Sequence, residues 1–275
     1  MKKIQYTLLS CLLIISLSAI SQTTVLKAPD FKKSEFSINA FYGISGLSGS
    51  LANGTITPES GAQYSLEGSF FLTRSVGVGL GVGYANYASS VRLNNYTSSV
   101  ETIDDGGDKI LYNVNASNIT EKEEVSAFEI PLFLAFRFPS TKVYFEGNTG
   151  VKVSIPVASS YNYTKGTITT TGYYEKYNIE LVDMPEHGYQ TVNDPAYAGK
   201  LSTNTAFSVF AKVGCVIPTG NLGIHISLYG SYGLNSILEP QTNVLMSYPN
   251  VSYPVTSLSN KISLISGGIR IGISL

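Results

Sequence analysis

The chain of 275 residues has no tryptophan and is short of several other residue types. Each shortage limits the classes of protein to which the chain can belong. Charged residues make up 13% of the chain, about half of their usual share in soluble domains. The net charge of −1 gives no basic surplus for binding nucleic acid. Of the two cysteines, Cys11 lies in an N-terminal apolar run. If that run is removed, Cys215 alone remains, which excludes an intramolecular disulfide.

The first 21 residues have the pattern of a secretory signal peptide. Two lysines precede an apolar run over residues 8–20, and small residues flank an expected cleavage site before Gln22. This run is too short to span a membrane, and no later stretch has the roughly 20 apolar residues of a transmembrane helix. The sequence therefore predicts a signal peptide at 1–21 and a periplasmic segment at 22–35.

Apolar and polar residues alternate in much of the remaining chain, and the clearest case is residues 128–138. Every even position there is phenylalanine, isoleucine or leucine, and a period of two is typical of a strand. Eight segments follow this pattern: 36–46, 64–73, 76–87, 127–138, 142–155, 206–217, 222–234 and 261–275. Only helices or closed barrels satisfy the backbone polar groups in lipid. The segments therefore predict an all-β, antiparallel, up-and-down transmembrane barrel over residues 36–275.

The connections between these strands alternate between short and long. Short links fall near Arg74, Ser140 and Gly220. The long ones are about 47–63, 88–126, 156–205 and 235–260. This asymmetry is typical of barrels in the outer membrane of Gram-negative bacteria, which have short periplasmic turns and longer external loops. The third long segment has two β-prone pieces, so we expect strands above the membrane there, or ten strands if it folds back into the bilayer.

Three strands carry a resemblance to a known family. They read Phe-Glu-Ile-Pro-Leu-Phe-Leu-Ala-Phe-Arg-Phe, Tyr-Phe-Glu-Gly-Asn-Thr-Gly-Val and Gly-Gly-Ile-Arg-Ile-Gly-Ile-Ser-Leu. They are similar to the outer-membrane β-barrel family of Bacteroidetes-type bacteria, which resembles the eight-stranded membrane domain of OmpA. The resemblance covers the strands between residues 36 and 275. It implies the fold and the outer-membrane location, and little about activity.

The hairpin at 127–155 allows a prediction of strand register. With a two-residue turn at 140–141, Arg137 would lie opposite Tyr144, and Glu129 would lie opposite Lys152. Both pairs are on the face that points away from lipid.

Seven charged side chains fall on the inward face of the predicted barrel. They are Glu67, Glu129, Glu146, Arg137, Lys152, Lys212 and Arg270. An eight-stranded barrel is just wide enough for side chains to fill it, and buried charges persist only when they are paired. We expect a plug of salt bridges. The alternative is a small gated pore in which the charges exchange partners, as is proposed for OmpA-like barrels.

The third external segment is rich in tyrosine, which offers a large contact area with a polar tip. The tyrosines are Tyr161, Tyr163, Tyr173, Tyr174, Tyr177, Tyr189 and Tyr197. They predict binding of an external glycan or protein; the alternative is an aromatic belt that packs the hairpins together. Asp104, Asp105 and Asp108 are a weak candidate for calcium, because the run has too few ligands for a full site. We expect neither metal nor cofactor.

Catalysis has little support in the sequence. Asp183, His187 and Asp194 lie in the third external segment, and nothing in their spacing brings a nucleophile and a base together. The sequence therefore predicts a non-enzymatic, monomeric barrel in outer-membrane lipid whose external loops bind a partner or support envelope integrity. The alternatives are a small diffusion channel, a subunit of a larger transport or secretion complex, and a soluble secreted β-sandwich.

Overall fold

The computed structural model describes residues 33–140, 143–239 and 243–275. The predicted signal peptide lies outside the described residues, as do residues 22–32 of the predicted periplasmic segment.

Eight antiparallel strands form a closed ring, in which each strand pairs with the next along the chain and the last pairs with the first. The strands are β1 (Ser34–Gly49), β2 (Ser60–Phe71), β3 (Val76–Ile103), β4 (Lys109–Pro139), β5 (Tyr144–Tyr174), β6 (Ala206–Thr219), β7 (Leu222–Gly233) and β8 (Ile262–Ser274). The predicted eight-stranded, up-and-down barrel is confirmed. The described segment 156–205 adds no further strand to the ring.

Short elements lie in the connections. The strands are Gly54–Pro58, Ile179–Leu181, Thr191–Asn193, Ala198–Gly199, Met246–Ser247 and Val251–Ser252, and two 3-10 helices span Pro185–His187 and Val255–Leu258. Among the residues that the structure describes, no helix has the length and apolar character needed to cross a bilayer.

A belt of large apolar side chains surrounds the outside of the barrel. Leu132 on β4 is 55% exposed, and the same alternation continues on all eight strands. The apolar belt comprises the outward side chains of residues 36–44, 64–72, 76–84, 128–138, 145–155, 207–213, 222–234 and 269–275. A continuous apolar surface of this extent is not stable in water. It has the composition of a lipid-facing surface, as the alternating sequence predicts.

Three strands continue well beyond the belt. β3, β4 and β5 contain 28, 31 and 31 residues, whereas the other ring strands contain 12 to 16. The extended parts, residues 88–103, 109–126 and 156–174, pair with one another and form what we call the external sheet. The predicted strand ends near residues 87, 127 and 155 are therefore too close to the belt. Serine, threonine and asparagine are frequent above the belt, so the apolar alternation that marks a strand is weaker there.

The register of the β4–β5 hairpin differs from the prediction by two residues. Pro139 lies opposite Tyr144, so the connection is longer than a two-residue turn. Arg137 lies opposite Glu146, and Glu129 lies opposite Ser154. Since side chains alternate with a period of two, a shift of two residues changes the partners and leaves every side chain on its predicted face.

Candidate functional site

The seven charged side chains that the sequence places in the lumen are all buried there. They form two clusters at different heights. We call one the turn-side cluster, near the short turns, and the other the sheet-side cluster, nearer the external sheet.

The turn-side cluster consists of Arg137, Glu146 and Lys212 together with Glu35 and His225. Arg137 forms an ion pair with Glu35. The Nε2 atom of His225 lies 2.9 Å from Glu35 Oε1, and its Nδ1 atom lies 3.1 Å from Glu146 Oε2. Lys212 Nζ is 3.3 Å from Glu146 Oε1. The imidazole thus bridges two carboxyl groups that each have a basic partner of their own.

The sheet-side cluster is centred on Lys152, which is 2% exposed. Its ammonium group lies 2.8 Å from Glu129 Oε1 and donates hydrogen bonds of 3.1 Å to the hydroxyls of Tyr87 and Tyr229. Ser154 donates to the same glutamate oxygen at 3.2 Å, and Tyr87 also donates to it. Although Glu129 and Lys152 are not directly opposite, diagonal neighbours across a strand pair are within reach of long side chains.

Arg270 completes the sheet-side cluster by bonding to Glu67 and Ser65. With Glu35 included, the described part of the lumen holds four acidic and four basic side chains, together with the imidazole of His225. Sequence reasoning missed Glu35 because the predicted first strand begins one residue later. Its odd position on β1, in step with Ser37 and Asn39, was the available signal for an inward direction.

Aromatic side chains fill much of the space between these clusters. The ring centroids of Phe41 and Tyr229 are 5.4 Å apart, and those of Phe133 and Phe210 are 6.1 Å apart. A side chain at Gly79 would place its Cβ 2.3 Å from the ring of Phe133, so glycine is required there. Two cavities of about 20 Å³ each are found in the lumen, and each has room for about one water molecule. The described lumen is filled by side chains.

The external sheet has its own apolar core on the side that continues the barrel interior. Core residues include Tyr112, Val125 and Ile168, each 2% exposed or less. Three of the seven predicted ligand-binding tyrosines are buried in this core, namely Tyr161, Tyr163 and Tyr189. The other four, Tyr173, Tyr174, Tyr177 and Tyr197, are partly or largely exposed. The buried three are not accessible to an external ligand in this conformation.

The connection between β7 and β8 packs on the inner face of the external sheet, and tyrosine hydroxyls hold it there. We call residues 243–258 the strap. Tyr161 donates to the carbonyl of Ser252 at 2.9 Å, and Tyr112 donates to the side chain of Asn250 at 2.8 Å. Tyr163 donates to the carbonyl of Tyr253 at 2.5 Å, so Tyr161 and Tyr163, two of the predicted ligand-binding tyrosines, serve an internal contact.

The aspartate run closes the hairpin between β3 and β4. Asp104 Oδ1 accepts the backbone N–H groups of Gly106 and Asp108, and Oδ2 accepts the hydroxyl of Tyr174 at 2.6 Å. The hydrogen bond from Tyr174 lowers the pKa of Asp104. Asp108 lies 3.5 Å from Lys176. Within the described residues, no three carboxylate, histidine or cysteine side chains converge in an arrangement that could hold a metal ion.

The loop residues Asp183, His187 and Asp194 do not form a hydrogen-bonded group in the described structure. His187 ends the short 3-10 helix, and the side chain of Asp194 accepts the N–H of Gly166 at 3.1 Å. Across the described chain, no hydrogen bond joins the side chains of Asp183, His187 and Asp194.

No protein-family model matches the chain, and no curated protein matches it. Among solved structures, Ail of Yersinia pestis in complex with the heparin analogue sucrose octasulfate is 11% identical, with a TM-score of 0.34, over 89% of this chain and 100% of that one. Neisserial surface protein A is 10% identical, with a TM-score of 0.37, over 89% and 97%. The outer membrane protein OprG of Pseudomonas aeruginosa is 10% identical, with a TM-score of 0.38, over 88% and 95%. The chain is similar to these small outer-membrane proteins at low identity, and the bacterial lineage suggested by the sequence stays a prediction.

Proposed function

We propose that the protein is a non-enzymatic barrel of the bacterial outer membrane, with a closed lumen and an external sheet that binds a partner outside the cell. The apolar belt and the closed ring of strands support insertion in lipid. The short connections at one end and the long segments at the other support the outer membrane and an external position for the sheet.

The closed lumen follows from its filling. Aromatic rings and paired charges occupy it, and breaking one of these buried pairs is unfavourable. We expect the refolded protein to be silent in a planar bilayer. A gated channel is the second candidate, because His225 contacts two glutamates and Glu146 contacts both Lys212 and His225, so these groups could exchange partners. Stable openings that change in the Glu129→Gln variant would favour the channel over the closed barrel.

The observation that carries the binding proposal is the free edge of the external sheet. Residues 95–103 of β3 pair with β4 on one side. On the other side, the strand Gly54–Pro58 covers residues 89–93, and Asn94 donates its N–H to the carbonyl of Asn53. Beyond Asn94, no described backbone segment pairs with this edge. An unpaired strand edge is a template for the addition of another strand.

Hydrogen-bond geometry identifies the groups that such a partner would use. Alternate residues of an antiparallel strand direct their N–H and C=O groups to the same side. The N–H of Asn94 points away from β4, toward Asn53. Ser98, Val100 and Thr102 follow at even spacing, so their backbone groups also point away from β4.

The composition of the edge favours an extended peptide or protein segment. Natural sheets protect their edges with lysine, proline or bulges, and residues 95–103 contain no lysine and no proline. The single charge is Glu101, and Val100 and Ile103 are 41% and 60% exposed. The nearby hairpin tip is acidic, with Asp104, Asp105 and Asp108. A polyanionic glycan would be repelled there, whereas a neutral or basic strand would not.

A phage-displayed peptide library, selected on the purified barrel, tests this edge. Selected peptides are expected to lose binding to Val100→Pro, which lacks the outward N–H, and to retain binding to Val100→Ala, which keeps it. Resistance of the folded barrel to SDS at room temperature shows that both variants fold. Peptides that bind both variants equally, or a selection that yields none, would remove the edge as the binding surface.

A further inference from the structure

The external sheet contains two buried glutamates that have no basic partner. Glu121 and Glu123 are both 0% exposed and lie two residues apart on the inner face of β4, so their carboxyl groups are neighbours. In the described residues, none of the ion pairs includes either of them. Burial, followed by the charge of Glu123, raises the pKa of Glu121 well above its usual range, and burial raises the pKa of Glu123.

The groups that face the pair do not supply a positive charge. Across the strand pair, Tyr163 lies opposite Glu121, and Tyr161 lies opposite Glu123. Tyr197 packs edge-on against Tyr163. Burial raises the pKa of Tyr163 well above its ordinary value, so this phenol stays neutral.

On its other side the pair meets β3 and the strap. Val91 and Ser89 of β3 are opposite Glu121 and Glu123 and carry no charge. The charged neighbours on β4 itself, Lys122 and Glu124, are on the exposed face.

The two carboxyl groups hold the 3-10 helix of the strap. Glu121 accepts the N–H of Val255 at 3.0 Å, and Glu123 Oε1 accepts the hydroxyl of Thr256 at 2.5 Å. Glu123 Oε2 is buried without a hydrogen-bond partner among the described atoms. Val255 and Thr256 are themselves buried, so this contact seals the strap against the core of the external sheet.

Two negative charges cannot both be kept in this site at low cost. An ionised carboxylate accepts an N–H more strongly than a neutral one, which favours one charge. The second charge would face the first in a dry environment, with no cation to compensate it. A single shared proton resolves the conflict while the strap is closed, and opening the strap lets water solvate both charges.

We propose that Glu121 and Glu123 form a proton-controlled latch, which keeps the strap closed while the pair holds a proton and releases it when both carboxyl groups are ionised. The latch is independent of the proposed binding function, because it requires no partner. The closed form binds a proton that the open form releases, so acid favours closure. The ratio of closed to open strap falls by up to about tenfold per pH unit, from the ordinary glutamate range near 4.5 up to the raised value in the closed form.

A single tryptophan reports the position of the strap, because the chain has no native tryptophan. In a Tyr253→Trp parent, the emission is expected to move reversibly to longer wavelength as the pH rises from about 5 to about 9. The added double substitution Glu121→Gln and Glu123→Gln should keep the emission at short wavelength throughout, since neutral amides need no proton. Glu124→Gln, the exposed neighbour, is the matched control and should behave like the parent.

SDS resistance of the barrel is measured in each variant as the control for folding. A change in emission is attributed to the latch only where this resistance persists. If the double variant does not fold, Glu121→Gln alone serves as the test. Emission that is constant with pH in the parent, or an equal pH response in parent and double variant, would overturn the latch.

Discussion

The interior of this protein changes character where β3, β4 and β5 leave the apolar belt. Inside the belt, the side chains that point inward include the ion pair of Glu129 and Lys152. Above the belt, the inward side chains of the same strands are mainly apolar, for example Val125 and Ile168. One continuous set of strands therefore encloses charged pairs among aromatic rings in one half and a mainly apolar core in the other.

The surroundings of the two halves explain the difference. Within the belt the apolar side chains face lipid, so no apolar core is needed and the narrow lumen accepts polar groups if they are paired. The external sheet stands in water and must bury apolar surface to be stable. The glutamate pair at positions 121 and 123 is an exception to this rule, because its buried carboxyl groups have no basic partner among the residues that the structure describes.

The largest expected effect comes from removing one charge in the lumen. Lys152→Met leaves Glu129 buried without its cation and should cost about 3–5 kcal/mol of unfolding free energy, measured by urea titration in lipid vesicles. Adding Glu129→Leu should restore most of this stability, because the pair is then replaced by apolar groups. A single variant as stable as the wild type would mean that the pair is not the basis of the plug.

A cavity in the core of the external sheet should lower the unfolding free energy by a similar or smaller amount, and its effect should be confined to the external sheet. Ile168→Ala is expected to cost about 2–5 kcal/mol. Amide exchange should accelerate in the external sheet and remain unchanged in the belt. The control is Ile103→Ala, whose parent side chain is 60% exposed, and it should leave exchange unaltered. Equal acceleration in both halves would show that they unfold as one unit.

The same arginine substitution separates lipid-facing from water-facing positions. Leu132→Arg, in the belt, should cost about 2–4 kcal/mol, because a charge is placed in hydrocarbon. Thr97→Arg, on the exposed face of the external sheet, should change the unfolding free energy by less than about 0.5 kcal/mol. Urea titration of both variants in vesicles measures the difference. Equal costs would contradict the position assigned to the belt.

The smallest expected effect concerns the hairpin tip, where Asp104→Ala removes the acceptor of two N–H groups and the Tyr174 hydroxyl. A loss of about 1 kcal/mol is typical of such side-chain caps. Because the pKa of Asp104 is lowered, this side chain stabilises the fold at pH values above the ordinary aspartate pKa. The stabilisation is lost as the pH falls through the lowered pKa. The loss is measured by amide exchange at Gly106 and Asp108, which should accelerate in Asp104→Ala and remain unchanged in the Asp105→Ala control.

Much of the barrel is readable from the sequence because lipid imposes a strict period of two. The strands at 76–84 and 128–138 were assigned to the correct face, and the seven lumen charges were found inside. The partners were harder to predict, since they depend on register and on strands distant in sequence. The predicted register places Arg137 opposite Tyr144, whereas its ion-pair partner is Glu35 from the first strand.

The external half was less predictable, because it stands in water and lipid does not impose a period of two on its strands. Strands 88–103 and 109–126 are polar on one face, and register shifts near Ser117 and Ser126 interrupt the pairing of 109–126 with β5. The strap contains only two-residue strands and a short 3-10 helix, and its position depends on contacts such as that between Tyr161 and Ser252, 91 residues apart.

The sequence by itself determined the number of membrane strands, the lipid-facing surface and the inward face of seven charged residues, because each follows from local alternation within one strand. Tertiary structure decided which charges pair, that three strands continue as a sheet, and that two glutamates meet the strap in a buried site. Those features arise from the closure of the ring and the packing of distant segments, whose free energy is not encoded in any local pattern.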